Sequence, residues 1–180
     1  MLWPSPIARL LAVICLALTS FSAAALNVED LRKEKNLTPP RFASYFRDFS
    51  FSFRKEVQRP NTFLATKIGD CDDYSVLAAS VLRERGYTPR LISVRMPGVT
   101  HVVCYIEETR SYLDYNFRGY TVAISPADNV LQKIADNVAR SYGVGWSSVS
   151  EFTYDSGVKR LVQTMTRPTT DAKSFAGVFR

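Results

Sequence analysis

Gly69-Asp70-Cys71-Asp72-Asp73-Tyr74, running on through Ser75 to Leu82 and into Arg83-Glu84-Arg85-Gly86, is the stretch on which the fold turns. From Cys71 to Arg85 it carries a helix signature: acids in the first turn, arginines in the last, then Gly86 as the residue that ends it. Val76, Leu77, Ala78, Ala79, Val81 and Leu82 make the segment apolar on most sides, which predicts a helix buried at the domain centre. Cys71 then lies at the helix N-terminus, facing whatever the helix packs against.

After Gly86 the pattern becomes that of strands. Extended segments are predicted over 88–96, 101–106 and 111–117, with Pro97-Gly98 turning the first into the second. The short polar run Glu107 to Arg110 predicts a hairpin between the second and third. The sequence has a single histidine, His101, and Asp114 follows it by thirteen residues. A two-residue loop would set position 101 opposite 114, a four-residue loop would keep them on one face but diagonal, and an odd loop would separate them. Alternation also puts Cys104 on the opposite face from His101. If His101 faces Cys71, Cys104 points away from both, so two free thiols are expected rather than a disulfide.

Upstream, Asn27 followed by acids predicts a helix start, and Phe42, Tyr45, Phe46 and Phe49 predict an aromatic-faced helix from Arg41 to about Val57 after Pro39-Pro40. Arg59-Pro60-Asn61 reads as a turn leading into the cysteine segment. Downstream, an amphipathic helix is expected from Pro126 to about Tyr142, then strands over 146–154 and 158–166. Residues 1–25 read as an export signal: one basic residue, Arg9, an apolar run over 10–19, and small residues ending at Ala25. A retained anchor is the alternative, although the apolar run is short for a span. Its removal leaves 155 residues, one domain over 26–166 with a tail over 167–180. Localisation is expected to be periplasmic or secreted, without stable membrane insertion.

The whole chain carries a net charge of +6 and is 46% hydrophobic. Its basic residues are scattered, with neither a Lys/Arg block nor a nucleic-acid motif, so DNA and RNA are not expected partners. A protein or peptide substrate is expected instead, acted on by a monomer.

A thiol, an imidazole and a carboxylate form the set that nucleophilic acyl transfer needs. The segments Gly69-Asp70-Cys71-Asp72-Asp73-Tyr74, Arg85-Gly86-Tyr87-Thr88-Pro89-Arg90-Leu91, Thr100-His101-Val102-Val103 and Leu113-Asp114-Tyr115-Asn116 resemble the bacterial transglutaminase-like cysteine peptidases. The resemblance covers about residues 60 to 120. It implies an α+β fold, a transglutaminase-like (papain-like) core with the nucleophile helix on an antiparallel sheet. It also implies Cys71 as nucleophile, His101 as general base and then acid, and Asp114 as the orienting carboxylate. Val103 stands where an aromatic residue often follows the histidine by two positions. The expected activity is hydrolysis of an amide or isopeptide bond in an envelope protein or peptide. The alternatives are a non-catalytic peptide-binding module on the same fold and an amidase of cell-wall peptides.

Asp70, Asp72 and Asp73 crowd negative charge around the thiol, opposing the helix N-terminus, which favours a thiolate. Either Asp70 caps the helix and the other acids face solvent, or Asp70 and Asp72 hold a cation. The resemblance implies calcium for that pair, although no cofactor is required by the chemistry itself. The backbone N–H of Cys71 is the expected first oxyanion donor, with Asn61 or Thr66 as the second. Tyr74 and Tyr115 are expected as walls of the substrate cleft.

Overall fold

The computed structural model describes residues 26–120 and 130–167. The expected leader, the start of the helix predicted from Pro126 and the tail beyond Arg167 lie outside these described residues. Among the described residues five helices and eight strands follow in chain order. They are α1 (Val28–Lys33), α2 (Pro39–Ser44), β1 (Ser50–Phe51), α3 (Pro60–Thr66), β2 (Ile68–Gly69) and α4 (Cys71–Arg83). Then come β3 (Pro89–Met96), β4 (Val99–Ile106), β5 (Ser111–Asp114), β6 (Gly119–Tyr120), α5 (Leu131–Ser141), β7 (Ser148–Asp155) and β8 (Val158–Thr166). Six strands form one antiparallel sheet in the order β6-β5-β4-β3-β7-β8, and β1 pairs with β2 in parallel beside it. The architecture is α+β, as the sequence predicts.

The sheet is covered on both faces. Leu91, Val102, Cys104, Ile106 and Leu113 point to α4, where Leu77, Ala78, Val81 and Leu82 meet them. Ile92, Val94, Val103, Tyr105 and Tyr112 point the other way, onto Leu131, Ile134, Ala135 and Val138 of α5. Beyond α4 an aromatic block of Phe42, Phe46, Phe49, Phe63, Tyr74 and Tyr115 completes the first core, with ring centroids about 5–6 Å apart. Burying each such side chain stabilises the fold by about 1.5–3 kcal/mol.

Local chemistry sets the ends of the helices. Asn27 caps α1 in a reciprocal box with Asp30 (3.0 and 3.1 Å). Gly86 turns the chain out of the α4 terminus at φ +83°, a left-handed conformation open to glycine. Among the described residues no helix is long and apolar enough to cross a membrane.

Three predicted boundaries differ. The aromatic stripe is buried as expected, yet no helix spans 41–57: α2 begins at Pro39 and ends at Ser44. Beyond Phe49 the backbone N–H groups have other partners. Ser50 and Ser52 donate to the carbonyls of Lys67 and Gly69, while Arg54 and Gln58 donate to the carboxylates of Asp70 and Asp73. Tertiary partners for these donors replace an intrahelical ladder. The Arg59-Pro60-Asn61 turn is instead the start of α3, with Pro60 at its first position, where a missing N–H costs nothing. The strand expected over 111–117 stops at Asp114.

Candidate active site

The start of α4 is held by a capping box. Asp70 Oδ1 accepts from the N–H groups of Asp72 (3.0 Å) and Asp73 (3.3 Å), and Asp73 Oδ2 accepts from the Asp70 N–H (3.1 Å). The strap over 50–58 closes around the same carboxylates. Arg54 N–H donates to Asp70 Oδ2 (2.8 Å), Gln58 N–H to Asp73 Oδ1 (2.6 Å) and Gln58 Nε2 to Asp73 Oδ2 (2.6 Å). Gly69 is required where β2 passes this box, because a Cβ there would meet Asp73 Oδ2 at 2.5 Å and the Phe63 ring at 2.6 Å. Cys71 is the first helical residue, and Asp70 leaves its N–H uncommitted.

The loop from Glu107 to Arg110 sets the position of the histidine and its carboxylate. Ile106 pairs with Ser111, so the loop has four residues and His101 stands diagonal to Asp114 on one face. Its acids are anchored: Glu107 to Arg90 (3.1 Å), and Glu108 to the N–H (2.9 Å) and hydroxyl (2.6 Å) of Thr88. The diagonal is close enough for a bond. His101 Nε2 lies 2.9 Å from Asp114 Oδ1, and the two side chains are 2% and 0% exposed. The ring's other nitrogen, Nδ1, is left free of that bond, and the Cys71 side chain lies near enough to act on the His101 pKa. Burial pulls the His101 pKa down, but the bonds and charges of Asp114 and Cys71 outweigh it and raise the value to about 9.

Cys71 and His101 come from opposite faces of the sheet. The predicted alternation holds, and Cys104 does lie across β4 from His101. It does not point away from the nucleophile helix, however: it is buried in the α4 core beside Leu77 and Tyr74, its thiol pushed up to about 12 by burial. Both thiols are free. The two layers meet because β5 pairs with β4 only from Cys104 to Ile106, leaving the His101 end of β4 unpaired on that side. Ser75, buried in the first turns of α4, donates to the Val102 carbonyl (3.2 Å) beside His101 and pins the helix there.

Two residues with no assigned role in the sequence complete the surroundings. Tyr142, at the C-terminal cap of α5, places its ring centroid 5.2 Å from that of His101. Its hydroxyl accepts a bond from the Asn116 side chain, while Asn116 N–H donates to Asp114 Oδ1 (2.9 Å). Burial, then the charge of Asp114, raises the Tyr142 pKa further. Asn116 stands within the Leu113-Asp114-Tyr115-Asn116 motif. Tyr142 sits at the end of an amphipathic helix, a pattern that signals packing and says nothing of a histidine.

Other expected site residues are placed elsewhere. Tyr74 and Tyr115 are 0% exposed, so they belong to the aromatic core and line no cleft. The Tyr115 hydroxyl donates to the Ser50 carbonyl (2.8 Å), and that of Tyr74 has no partner. Asn61 Oδ1 accepts from Val28 N–H (3.0 Å), tying α3 to α1, and Thr66 donates back to the Thr62 carbonyl (2.9 Å). Neither is assigned as an oxyanion donor by these bonds; they serve helix contacts.

Residues 13–137 match the family described as the transglutaminase-like domain. The chain belongs to that family. The matched stretch contains Cys71, His101 and Asp114, while Tyr142 falls just beyond it. Transglutaminase-like domains are typically built on the fold of cysteine peptidases and transglutaminases, which supports a peptidase-type function. A search of curated proteins finds no match.

Proposed function

We propose that this transglutaminase-like protein is an exported cysteine peptidase, periplasmic or secreted, that hydrolyses an amide or isopeptide bond in a protein or peptide. The observation that carries the reading is the buried His101 ring, bonded to Asp114 at 2.9 Å with the Cys71 side chain beside it, which together raise its pKa to about 9. The ring is therefore imidazolium at neutral pH, the partner that a thiolate nucleophile requires. Cys71 Sγ attacks the carbonyl carbon, and the Cys71 N–H is free to bind the oxygen as it becomes an oxyanion. His101 gives its proton to the leaving amine, and the acyl group stays on sulfur as a thioester. A water molecule, deprotonated by the now neutral His101, adds to the thioester and releases the carboxylic acid, returning the proton to the pair. Asp114 fixes the ring orientation throughout.

The orphaned oxygen of Asp72 supports a cation beside the thiol. Asp72 Oδ1 is buried with no hydrogen-bond partner, and burial, with added repulsion from Asp70 and Asp73, outweighs the Lys159 charge and raises the Asp72 pKa. Among the described residues no three acids, histidines or cysteines converge into a ready cage. Calcium there would be held by Asp72, joined by Asp70 only where Asp70 gives up its cap bonds, and would draw its other oxygen ligands from backbone and water. Bound there, it would supply the positive charge that offsets the aspartates flanking Cys71. Calcium is expected to raise Tm in the parent protein and not in Asp72→Asn; equal Tm with calcium and with chelator would end this assignment.

The activity is tested through the thiol. Cys71 alkylation near neutral pH is expected to slow by about tenfold or more in His101→Ala, and peptide cleavage to vanish in Cys71→Ala with the fold retained. Equal alkylation rates in the parent and His101→Ala would remove the activated thiol.

A further inference from the structure

We propose that the cavity between α2 and the turn from β5 to β6 is a subsite for a carboxylate side chain of the peptide substrate, held by Arg47 and Arg118. The cavity has a volume of about 440 Å³ and is lined by Ala43, Ser44 and Arg47 on one side and Phe117, Arg118 and Gly119 on the other. That volume suits one or two side chains. The proposal rests on the peptidase reading of Cys71 and His101.

No carboxylate among the described residues pairs with Arg47 or Arg118; the arginines and lysine that form ion pairs are Arg32, Arg41, Lys67 and Arg90. The aspartate next to Arg47, Asp48, is engaged by Lys67 at 2.5 Å. Arg118 is held in place: its guanidinium lies 4.8 Å over the Tyr115 ring, and its backbone takes φ +40°. That left-handed conformation is disfavoured for a non-glycine residue. Its Nε is nevertheless buried without a hydrogen-bond partner. A buried donor left unmade is costly, and an incoming carboxylate would recover that loss. Two guanidinium forks present the planar N–H pairs that a carboxylate accepts in bidentate fashion.

The Tyr142 ring links the cavity wall to the reacting groups. Phe117, on that wall, lies 6.4 Å from the Tyr142 ring, which lies 5.2 Å from His101. The Phe117 and His101 rings are therefore within about 12 Å, the reach of about three or four residues of extended peptide. An Asp or Glu side chain within that distance of the scissile bond is the expected occupant.

The test is a titration of the full protein followed by backbone and arginine Nε–H NMR shifts. The probes are N-acetylglutamate N-methylamide, its glutamine counterpart and inorganic phosphate at matched ionic strength. The glutamate compound is expected to saturate with Arg118 Nε–H shifts at about tenfold lower concentration than the glutamine compound. Arg47→Gln and Arg118→Gln are each expected to abolish that preference. Arg47 is exposed, so its variant decides the matter even if loss of the Tyr115 contact unsettles Arg118→Gln. Equal binding of the two amides, a preference that survives Arg47→Gln, or phosphate binding as tight as glutamate would overturn the assignment. Because binding is read without turnover, this result stands apart from the alkylation test of Cys71.

Discussion

The two faces of the central sheet bury different materials. On the α4 face the core is aromatic, with Phe42, Phe46, Phe63, Tyr74 and Tyr115 stacked behind the helix that begins at Cys71. On the α5 face a mainly aliphatic core of Ile92, Val94, Ile134 and Val138, with Tyr105, Tyr112 and Trp146 among it, borders two buried ionisable groups, His101 and Asp114. The nucleophile candidate belongs to the first layer and its base and carboxylate to the second. They meet only where β5 stops pairing with β4, so the site exists at a seam between two separately packed cores. Splitting the set across two layers makes its geometry depend on a few polar fastenings rather than on either core alone.

The largest expected effect falls on the α5 side. Asp114→Asn keeps an oxygen for the Asn116 N–H but removes the charge facing His101, and kcat/KM for peptide cleavage is expected to fall about a thousandfold, or about 4 kcal/mol. An unchanged kcat/KM would show that the second layer supplies packing only.

The next effect is on pH. His101 has a pKa of about 9 when folded against 6.5 ordinarily, so the folded state holds a proton that the unfolded chain has released. The stability this lends is complete below about pH 6.5 and is lost as pH rises through about 9, up to about 3 kcal/mol in all. Tm measured from pH 6 to 10 should fall across that window and flatten in His101→Gln. A parallel slope in the two proteins would assign the loss to other groups.

Ser75→Ala probes the seam itself, leaving the buried Val102 carbonyl without its donor at a cost of about 1–2 kcal/mol. Cys71 alkylation should slow more than this loss of stability explains, since the bond sets where α4 meets His101. Equal alkylation rates would show that the cores alone align the layers.

Smallest is the effect of Tyr74→Phe, which removes a buried hydroxyl that has no partner and should raise stability by up to about 1 kcal/mol. Peptide cleavage should be unaffected if Tyr74 is core. A large rise in KM would restore it to the substrate cleft.

Much of the fold was legible because its signals are local. The cap, acids and arginines of 70–85 specify a helix whatever surrounds it, and alternation along β3 and β4 specifies which residues share a face. The helix expected over 41–57 was not legible, since its backbone donors go to Asp70 and Asp73, more than a dozen residues away. Tyr74 and Tyr115 flank the reactive motifs in sequence, yet helix rotation and strand alternation turn them into the core. Tyr142 reaches His101 from a helix some forty residues downstream, and no local pattern reports such a contact.

The sequence by itself determined the candidate reactive set, because a single histidine leaves only one candidate for the base and the strand period puts Asp114 on its face for any even loop. It also determined that Cys71 begins a helix. Tertiary structure decided the rest. Anchoring of Glu107 and Glu108 selected the four-residue loop, and the short β4–β5 pairing opened the seam through which a thiol on one face meets an imidazole on the other. Capping, charge placement and alternation are properties of neighbouring residues and can be read along the chain. The depth to which two strands stay paired depends on everything packed against them, and that is set only in the folded molecule.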